Sequence, residues 1–183
     1  MSQRDRLRSL LQERSLRFGD FTLVSGRKSS YYFDSKQTTL HPEGAYLTAW
    51  CILDLVRREG IDAAAIGGMT LGADPMVCAV APLSFLEEGP ELPAFIVRKE
   101  AKGHGMQNEV EGAPPAGTRV IIVDDVITTA GSTLKAIAAA ERAGLVVAAV
   151  ICLLDREEGG AEALSGYPYF PLFRRNEILP AAG

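Results

Sequence analysis

Asp124 and Asp125 stand side by side at the end of a β-branched run, Val120–Val123, inside the stretch "VIIVDDVITTAGST". Thr128, Thr129, Ala130, Gly131, Ser132 and Thr133 follow, leading into a helix pattern. In a parallel sheet, ligands sit beyond the carboxyl ends of the strands, which is where this pair falls. Small residues at the start of the next helix let backbone N–H groups face an anion, and the helix N-terminus adds partial positive charge. The turn is therefore suited to a phosphate. Two carboxylates beside a phosphate need something between them. A sugar diol meets that need, because carboxylates accept hydrogen bonds from its hydroxyls, and Mg2+ prefers the same oxygen donors. Negative charge near the sugar also favours positive charge developing at its anomeric carbon. Together these groups point to a ribose 5-phosphate that undergoes substitution at C1.

Simpler readings carry less of the pattern. A single aspartate after a strand is commonly a turn residue or helix cap. A pair followed by T-T-A-G-S-T is rarely that. A phospho-acceptor receiver domain also has paired aspartates, but near its N-terminus. Neither G-x-x-x-x-G-K-[ST] nor G-x-G-x-x-G occurs. With only His41 and His104 and no ligand spacing, a zinc site is not indicated, and no G-x-S-x-G elbow is found.

The elements that must position these groups read as alternating strands and helices. The chain has 183 residues, 47% of them apolar, enough for one domain with a buried core. Helices are expected at 3–16, 43–59, 73–86 and 131–144, with Pro75 and Pro82 limiting the third. A hairpin is expected within 18–36. Strands are expected at 62–68, 93–99, 118–125 and 145–155, with a last one at 167–174 broken by its prolines. That order implies an α/β fold with a mostly parallel central sheet covered by helices on both faces. The net charge of −4 argues against nucleic acid as a partner. Cys51, Cys78 and Cys152 lie in apolar runs without a C-x-x-C pair, and the charged opening "MSQRDRLRSLLQERS" has no signal-peptide core. A cytoplasmic location with reduced thiols is expected. The longest apolar stretch, 145–154, is too short to cross a membrane.

Residues 98–117 break the alternation. They are polar, glycine-rich and aperiodic, a composition for a functional loop. Arg98, Lys99, Lys102 and His104 cluster at its start, and Gly103, Gly105 and Gly112 offer hinges. The plain alternative is a solvated surface loop.

The stretch around Asp124 resembles the phosphoribosyl pyrophosphate (PRPP) motif of type I phosphoribosyltransferases. "FTLVSGRKSSYYFDSK", "RKEAKGHG" and "LLDREEGG" narrow the likeness to orotate phosphoribosyltransferases. The four stretches occur in that family's order and span about residues 18–160. The resemblance implies a single domain over 1–183, with a small N-terminal hood at about 1–40 and a mobile catalytic loop at about 98–117. It implies transfer of the 5-phosphoribosyl group from PRPP to orotate, giving orotidine 5′-monophosphate and pyrophosphate, in pyrimidine (UMP) synthesis. Under it, Asp124 to Ser132, Val126 and Ile127 included, line the PRPP site. Thr128, Thr129, Ala130, Gly131 and Ser132 cradle the 5′-phosphate, with Thr133 at the edge of that set. Asp124 and Asp125 hold the ribose hydroxyls near Mg2+, which is carried mainly by PRPP and water. Arg98, Lys99, Lys102 and His104 reach the pyrophosphate, with Lys102 and His104 the most sensitive. Tyr32, Phe33, Thr128 and Arg156 contact orotate, and Gly67–Gly72 border the pyrophosphate. A homodimer is implied, because the loop closes over the neighbouring subunit's site.

Two positions depart from the family pattern. Val24 and Leu71 stand where many members carry lysine, leaving PRPP to other cations such as Arg27 or Lys28, or held less tightly. Two other readings compete. A phosphoribosyltransferase for another base would share the PRPP motif but not "RKEAKGHG" and "LDREEGG". A PRPP-sensing nucleic-acid regulator would add a basic face, which the net charge opposes.

Overall fold

The computed structural model describes residues 1–22, 28–87, 89–99 and 109–179. Val24, Arg27, Lys102 and His104 lie outside the described residues. Helix α1 (Gln3–Arg14) opens the chain, capped by Ser2, whose hydroxyl accepts from the Asp5 N–H. Strands β1 (Leu16–Thr22) and β2 (Lys28–Phe33) pair antiparallel as a separate two-stranded sheet. Short α2 (Lys36–Thr39) and long α3 (Pro42–Arg58) follow.

A six-stranded sheet forms the centre. Its strands are β3 (Ala65–Met69), β4 (Ala94–Val97), β5 (Val110–Glu111), β6 (Arg119–Ile127), β7 (Val146–Asp155) and β8 (Tyr169–Arg174), in the order β5-β4-β3-β6-β7-β8. Every pairing is parallel except β4 with β5. The expected α/β class is what the structure shows. The β-branched run of β6 explains why the sheet is buried on both faces. Ile121 and Val123 pack with Leu7, Leu11, Ile52 and Met76 on one side, the side of α1, α3 and α4 (Asp74–Leu86). Val120 and Ile122 pack with Ala136, Ala139 and Ala140 of α5 (Gly131–Arg142) on the other. A strand covered twice reads as continuous rather than alternating apolar sequence.

Helix α4 fills the span expected at 73–86 and runs through Pro82 without stopping. Pro75 sits in its first turn, where a missing N–H costs nothing, and Pro82 is on the exposed face, where water can take the orphaned carbonyl. Strand β8 runs unbroken across Pro171, which is tolerated because β8 lies at the sheet edge. The strand expected at 62–68 begins at Ala65. The segment 98–117 is not all loop: β5 lies within it, pairing Val110 with Val97 and Glu111 with Ile96. Two further four-residue helices, α6 (Gly160–Ala163) and α7 (Arg175–Ile178), complete the chain.

Candidate active site

The connection after β3 leads through α4 to β4 on one side of the sheet order, and the connection after β6 leads through α5 to β7 on the other. The order therefore reverses between β3 and β6, and the carboxyl ends of those two strands form the crevice where such sheets bind ligands. Thr70–Gly72 form the turn after β3, and Asp124 and Asp125 lie in β6.

The two carboxylates are not equivalent. Asp124 is 5% exposed, and its Oδ2 accepts from Ser132 Oγ at 2.8 Å and Thr133 Oγ1 at 2.8 Å. Burial pushes its carboxyl up to about 6. The two hydroxyl bonds oppose that rise, and the neighbouring Asp125 charge adds to it. Asp125 keeps 15% of its side chain exposed. Its Oδ1 accepts from the Val126 N–H at 3.0 Å, and its Oδ2 accepts from Ser35 Oγ. Lys36 Nζ lies 4.0 Å from the same Oδ2. One carboxylate is thus braced from below by α5, and the other faces the crevice and the α2 segment.

The turn after β3 comes against this pair. A Cβ on Gly72 would collide with Asp125 Oδ1 and lie 2.9 Å from Asp125 Cγ and 3.4 Å from Asp124 Oδ1. Only glycine permits that approach. The Thr70–Leu71 peptide is cis, Thr70 Oγ1 donates to Asp74 Oδ2 at 2.7 Å, and Leu71 is 67% exposed.

The turn into α5 leaves its first backbone N–H groups without helical partners. Ala130 adopts the left-handed conformation at φ 61° as the residue before α5. The first intrahelical bond runs from the Leu134 N–H to the Ala130 carbonyl at 2.8 Å. The N–H groups ahead of Leu134 fall in a first turn that has no intrahelical acceptor for them. Thr129, Gly131 and Ser132 are exposed, Thr128 is half-buried, and space around Gly131 is open. Thr133 is 1% exposed and bonded to Asp124, so its hydroxyl supports the carboxylate from beneath.

Arg156 follows β7. Its N–H donates to the Ile127 carbonyl at 2.9 Å, which fixes it beside the cradle. Its guanidinium lies 5.1 Å from the centre of the Tyr31 ring, donates from Nη2 to Tyr31 Oη at 3.0 Å, and sits 3.0 Å from Glu158 Oε1 through Nε. Of the paired aromatics expected at the base, Tyr32 is 45% exposed and its ring lies 5.6 Å from that of Phe21, while Phe33 packs against the core. Tyr31, which sequence reasoning passed over, is the aromatic in contact with Arg156. The alternation of β2 was the available signal, since Tyr31 and Tyr32 must face opposite ways.

Arg98 stands at the end of β4. Its Nε donates to Glu111 Oε1 at 2.8 Å, and its N–H donates to the Glu109 carbonyl at 2.9 Å. Lys99 is exposed. Ser35 and Lys36 were also absent from the expected site. Their sequence neighbours give no hint of Asp125, 90 residues away from Ser35.

The fold and the sequence have known counterparts. Residues 77–169 match the family described as "Phosphoribosyl transferase domain". The orotate phosphoribosyltransferase of Aquifex aeolicus is 45% identical over 98% of this chain and 99% of its own length. A crystal structure of Mycobacterium tuberculosis H37Rv orotate phosphoribosyltransferase with Fe(III) dicitrate superposes with a TM-score of 0.85 at 36% identity, covering 97% of this chain and 99% of that one. The same mycobacterial protein in complex with PRPP gives a TM-score of 0.81 at 31% identity, again over 97% and 99% of the two chains. By its crevice at the β3–β6 reversal and by these likenesses, the chain belongs to the phosphoribosyltransferases, and among them to the orotate phosphoribosyltransferase family.

Proposed function

We propose that the chain transfers the 5-phosphoribosyl group of PRPP to orotate, forming orotidine 5′-monophosphate and pyrophosphate in pyrimidine synthesis. The observation that carries this reading is the Asp124–Asp125 pair at the β6 end, flanked by the open first turn of α5 and by Arg156. The first turn of α5 takes the 5′-phosphate through backbone N–H groups and the hydroxyls of Thr128 and Thr129. Asp125 accepts from the ribose hydroxyls, and Asp124 supports it from beneath. The orotate N1–C1 bond forms as the C1–O bond to pyrophosphate breaks, and the two carboxylates favour the positive charge that develops on the ribose. The guanidinium of Arg156 suits the orotate carboxylate, because its planar fork can donate twice.

Mg2+ is the expected cofactor. Among the described residues no group of three or more His, Cys, Asp or Glu side chains is arranged to hold a metal ion. The residues present fit an ion carried by the oxygens of PRPP, with Asp124 and Asp125 beside it; bound there, it would neutralise the leaving pyrophosphate. Lys99, Lys102 and His104, with Arg98 at the base of the loop, are assigned to the same charge, closing over the site of a partner subunit in a homodimer. A cytoplasmic location fits the three free cysteines. Among the described residues no helix is long and apolar enough to cross a membrane.

The test is orotate consumption followed by ultraviolet absorbance, with PRPP, Mg2+ and protein each omitted in turn. Loss of absorbance that needs all three supports the reading. Turnover of adenine, hypoxanthine or uracil in place of orotate would discard the base assignment and keep the PRPP site.

A further inference from the structure

Asp125 is approached from two sides. Gly72 closes on Oδ1, while Ser35 and Lys36 meet Oδ2. Lys36 is held in place by its own neighbour. Asp34 Oδ1 accepts from the Lys36 backbone N–H at 3.2 Å and lies 3.1 Å from Lys36 Nζ. Asp34 is fixed in turn by Gln37, whose Nε2 donates to Oδ2 at 3.1 Å. The ammonium is thus anchored on one side by a carboxylate that is 21% exposed, and faces Asp125 on the other at the looser distance of 4.0 Å. An ammonium has three donors, and 44% of this side chain remains open to solvent. Burial works against its charge, but the bond to Asp34 and the negative charges of Asp125 and Asp34 outweigh that, so its pKa is raised and it stays protonated.

Resting on the PRPP reading above, we infer that Lys36 is a donor-binding residue, placing a fixed cation between Asp125 and the anionic groups of the phosphoribosyl donor. The chemistry calls for such a group. A polyanion brought beside two carboxylates meets repulsion that a positioned cation offsets, and the effect is strongest where water is partly excluded. Leu71, at the turn on the far side of Asp125, brings no charge of its own, and Arg98 is engaged by Glu111. Among the described residues Lys36 is the cation that lies within 4.0 Å of the carboxylate pair. Its role is distinct from that of Arg156, which faces Tyr31 and Glu158.

The experiment compares the full-length protein with Lys36→Ala, Lys36→Gln and Lys36→Arg. It measures PRPP binding calorimetrically in the presence of Mg2+, steady-state KM for PRPP and for orotate, and thermal melting. The expected result is a rise of about tenfold or more in Kd and KM for PRPP in Lys36→Ala and Lys36→Gln, the size of one charge-assisted contact. KM for orotate and the melting temperature should hold, and Lys36→Arg should recover most of the PRPP affinity. The two neutral variants guard against a folding defect in one of them. PRPP affinity within twofold of the unaltered protein in a folded neutral variant overturns the inference. So does an equal loss for PRPP and orotate, which would mark Lys36 as a purely structural clamp. Failure of the unaltered protein to bind PRPP at all would overturn the donor-site reading itself, an outcome distinct from variants that bind as well as the parent.

Discussion

Thr133 Oγ1 donates to Asp124 Oδ2 at 2.8 Å, tying the first turn of α5 to the end of β6 through a contact that is almost wholly buried. The bond does two things at once. It satisfies a carboxylate that burial would otherwise leave exposed to a large desolvation cost, and it fixes where α5 begins relative to the two aspartates. Thr133→Val keeps the shape and removes the donor. We expect a loss of about 1–2 kcal/mol in stability, seen as a drop in Tm of about 3–6 °C. Activity at neutral pH should fall less than for a change at Asp125, because Ser132 still donates to the same oxygen.

The raised titration of Asp124 gives opposite signs for stability and activity. Its carboxyl lies at about 6 in the folded protein, against an ordinary value of 3.8. Between those two values the folded state binds more protons than the unfolded state. Stability attributable to this group therefore falls as pH rises from the ordinary carboxylate range to about 6, and is level above it. Activity runs the other way, since protonating Asp124 removes negative charge that favours the positive charge developing on the ribose. The profile of kcat/KM for PRPP should show an acid limb near 6 that follows Asp124. Thr133→Val should shift that limb upward, because one of the bonds favouring ionisation is gone. An acid limb unmoved by this change would show that another group sets it.

The β6 strand, the α5 start and the motif between them were legible in the sequence, because each is a local pattern: four apolar residues, two acids, then small hydroxyl residues. The sheet class followed from the same apolar runs, in which Val120 to Val123 must be covered on both faces. What escaped depended on long-range geometry. Nothing near Ser35 or Lys36 signals that they meet Asp125, and the choice of Tyr31 over Tyr32 depends on which face of β2 turns to Arg156. The prolines of 167–174 suggest a broken strand, but Pro171 is tolerated because β8 lies at the sheet edge. β5 escaped because two residues carry no periodicity.

Gly72 sets how closely the β3 turn approaches the carboxylates. In Gly72→Ala, the new methyl collides with the Asp125 carboxylate, whose Cγ would lie 2.9 Å from it. Either the turn or Asp125 must move. Overpacking of this kind costs about 1–3 kcal/mol, and a shift of the carboxylate proposed to take the ribose diol should cost catalysis about 100-fold in kcat/KM for PRPP. Crystallography of the variant should show Asp125 or residues 70–72 displaced. A fully active variant with Asp125 unmoved would separate this turn from the site.

Arg156 is held from three directions, by the Tyr31 ring and hydroxyl, by Glu158 and by its own N–H to Ile127. That leaves the guanidinium oriented before any ligand arrives. Lysine cannot reproduce the planar fork or the stack on Tyr31. Arg156→Lys should lower kcat/KM for orotate about 30- to 100-fold, the worth of one or two charge-assisted hydrogen bonds, while KM for PRPP stays within about twofold. Tyr31→Phe should have a smaller effect of the same kind, since it removes the hydroxyl and keeps the ring. Equal losses for both substrates in Arg156→Lys would place the arginine outside the orotate subsite.

The three cysteines should differ sharply in reactivity, which checks the packing of the core independently of any ligand. Cys78 is exposed on α4. Cys51 is buried among the α1 and α3 side chains, and burial pushes its thiol up to about 11. Cys152 is fully buried in β7, 3.0 Å from Tyr169 Oη, and burial raises its thiol well beyond the ordinary range. Thiolate is the reactive form, so both inner residues are protected twice, by access and by protonation. At pH 8 a thiol reagent such as DTNB should modify one cysteine rapidly in the native protein and all three after denaturation. Cys78→Ser should remove the fast phase and leave Tm unchanged. Rapid modification of two or three thiols in the native state would mean that the sheet around β7, or the α1–α3 contact, opens far more readily than a core of this burial allows.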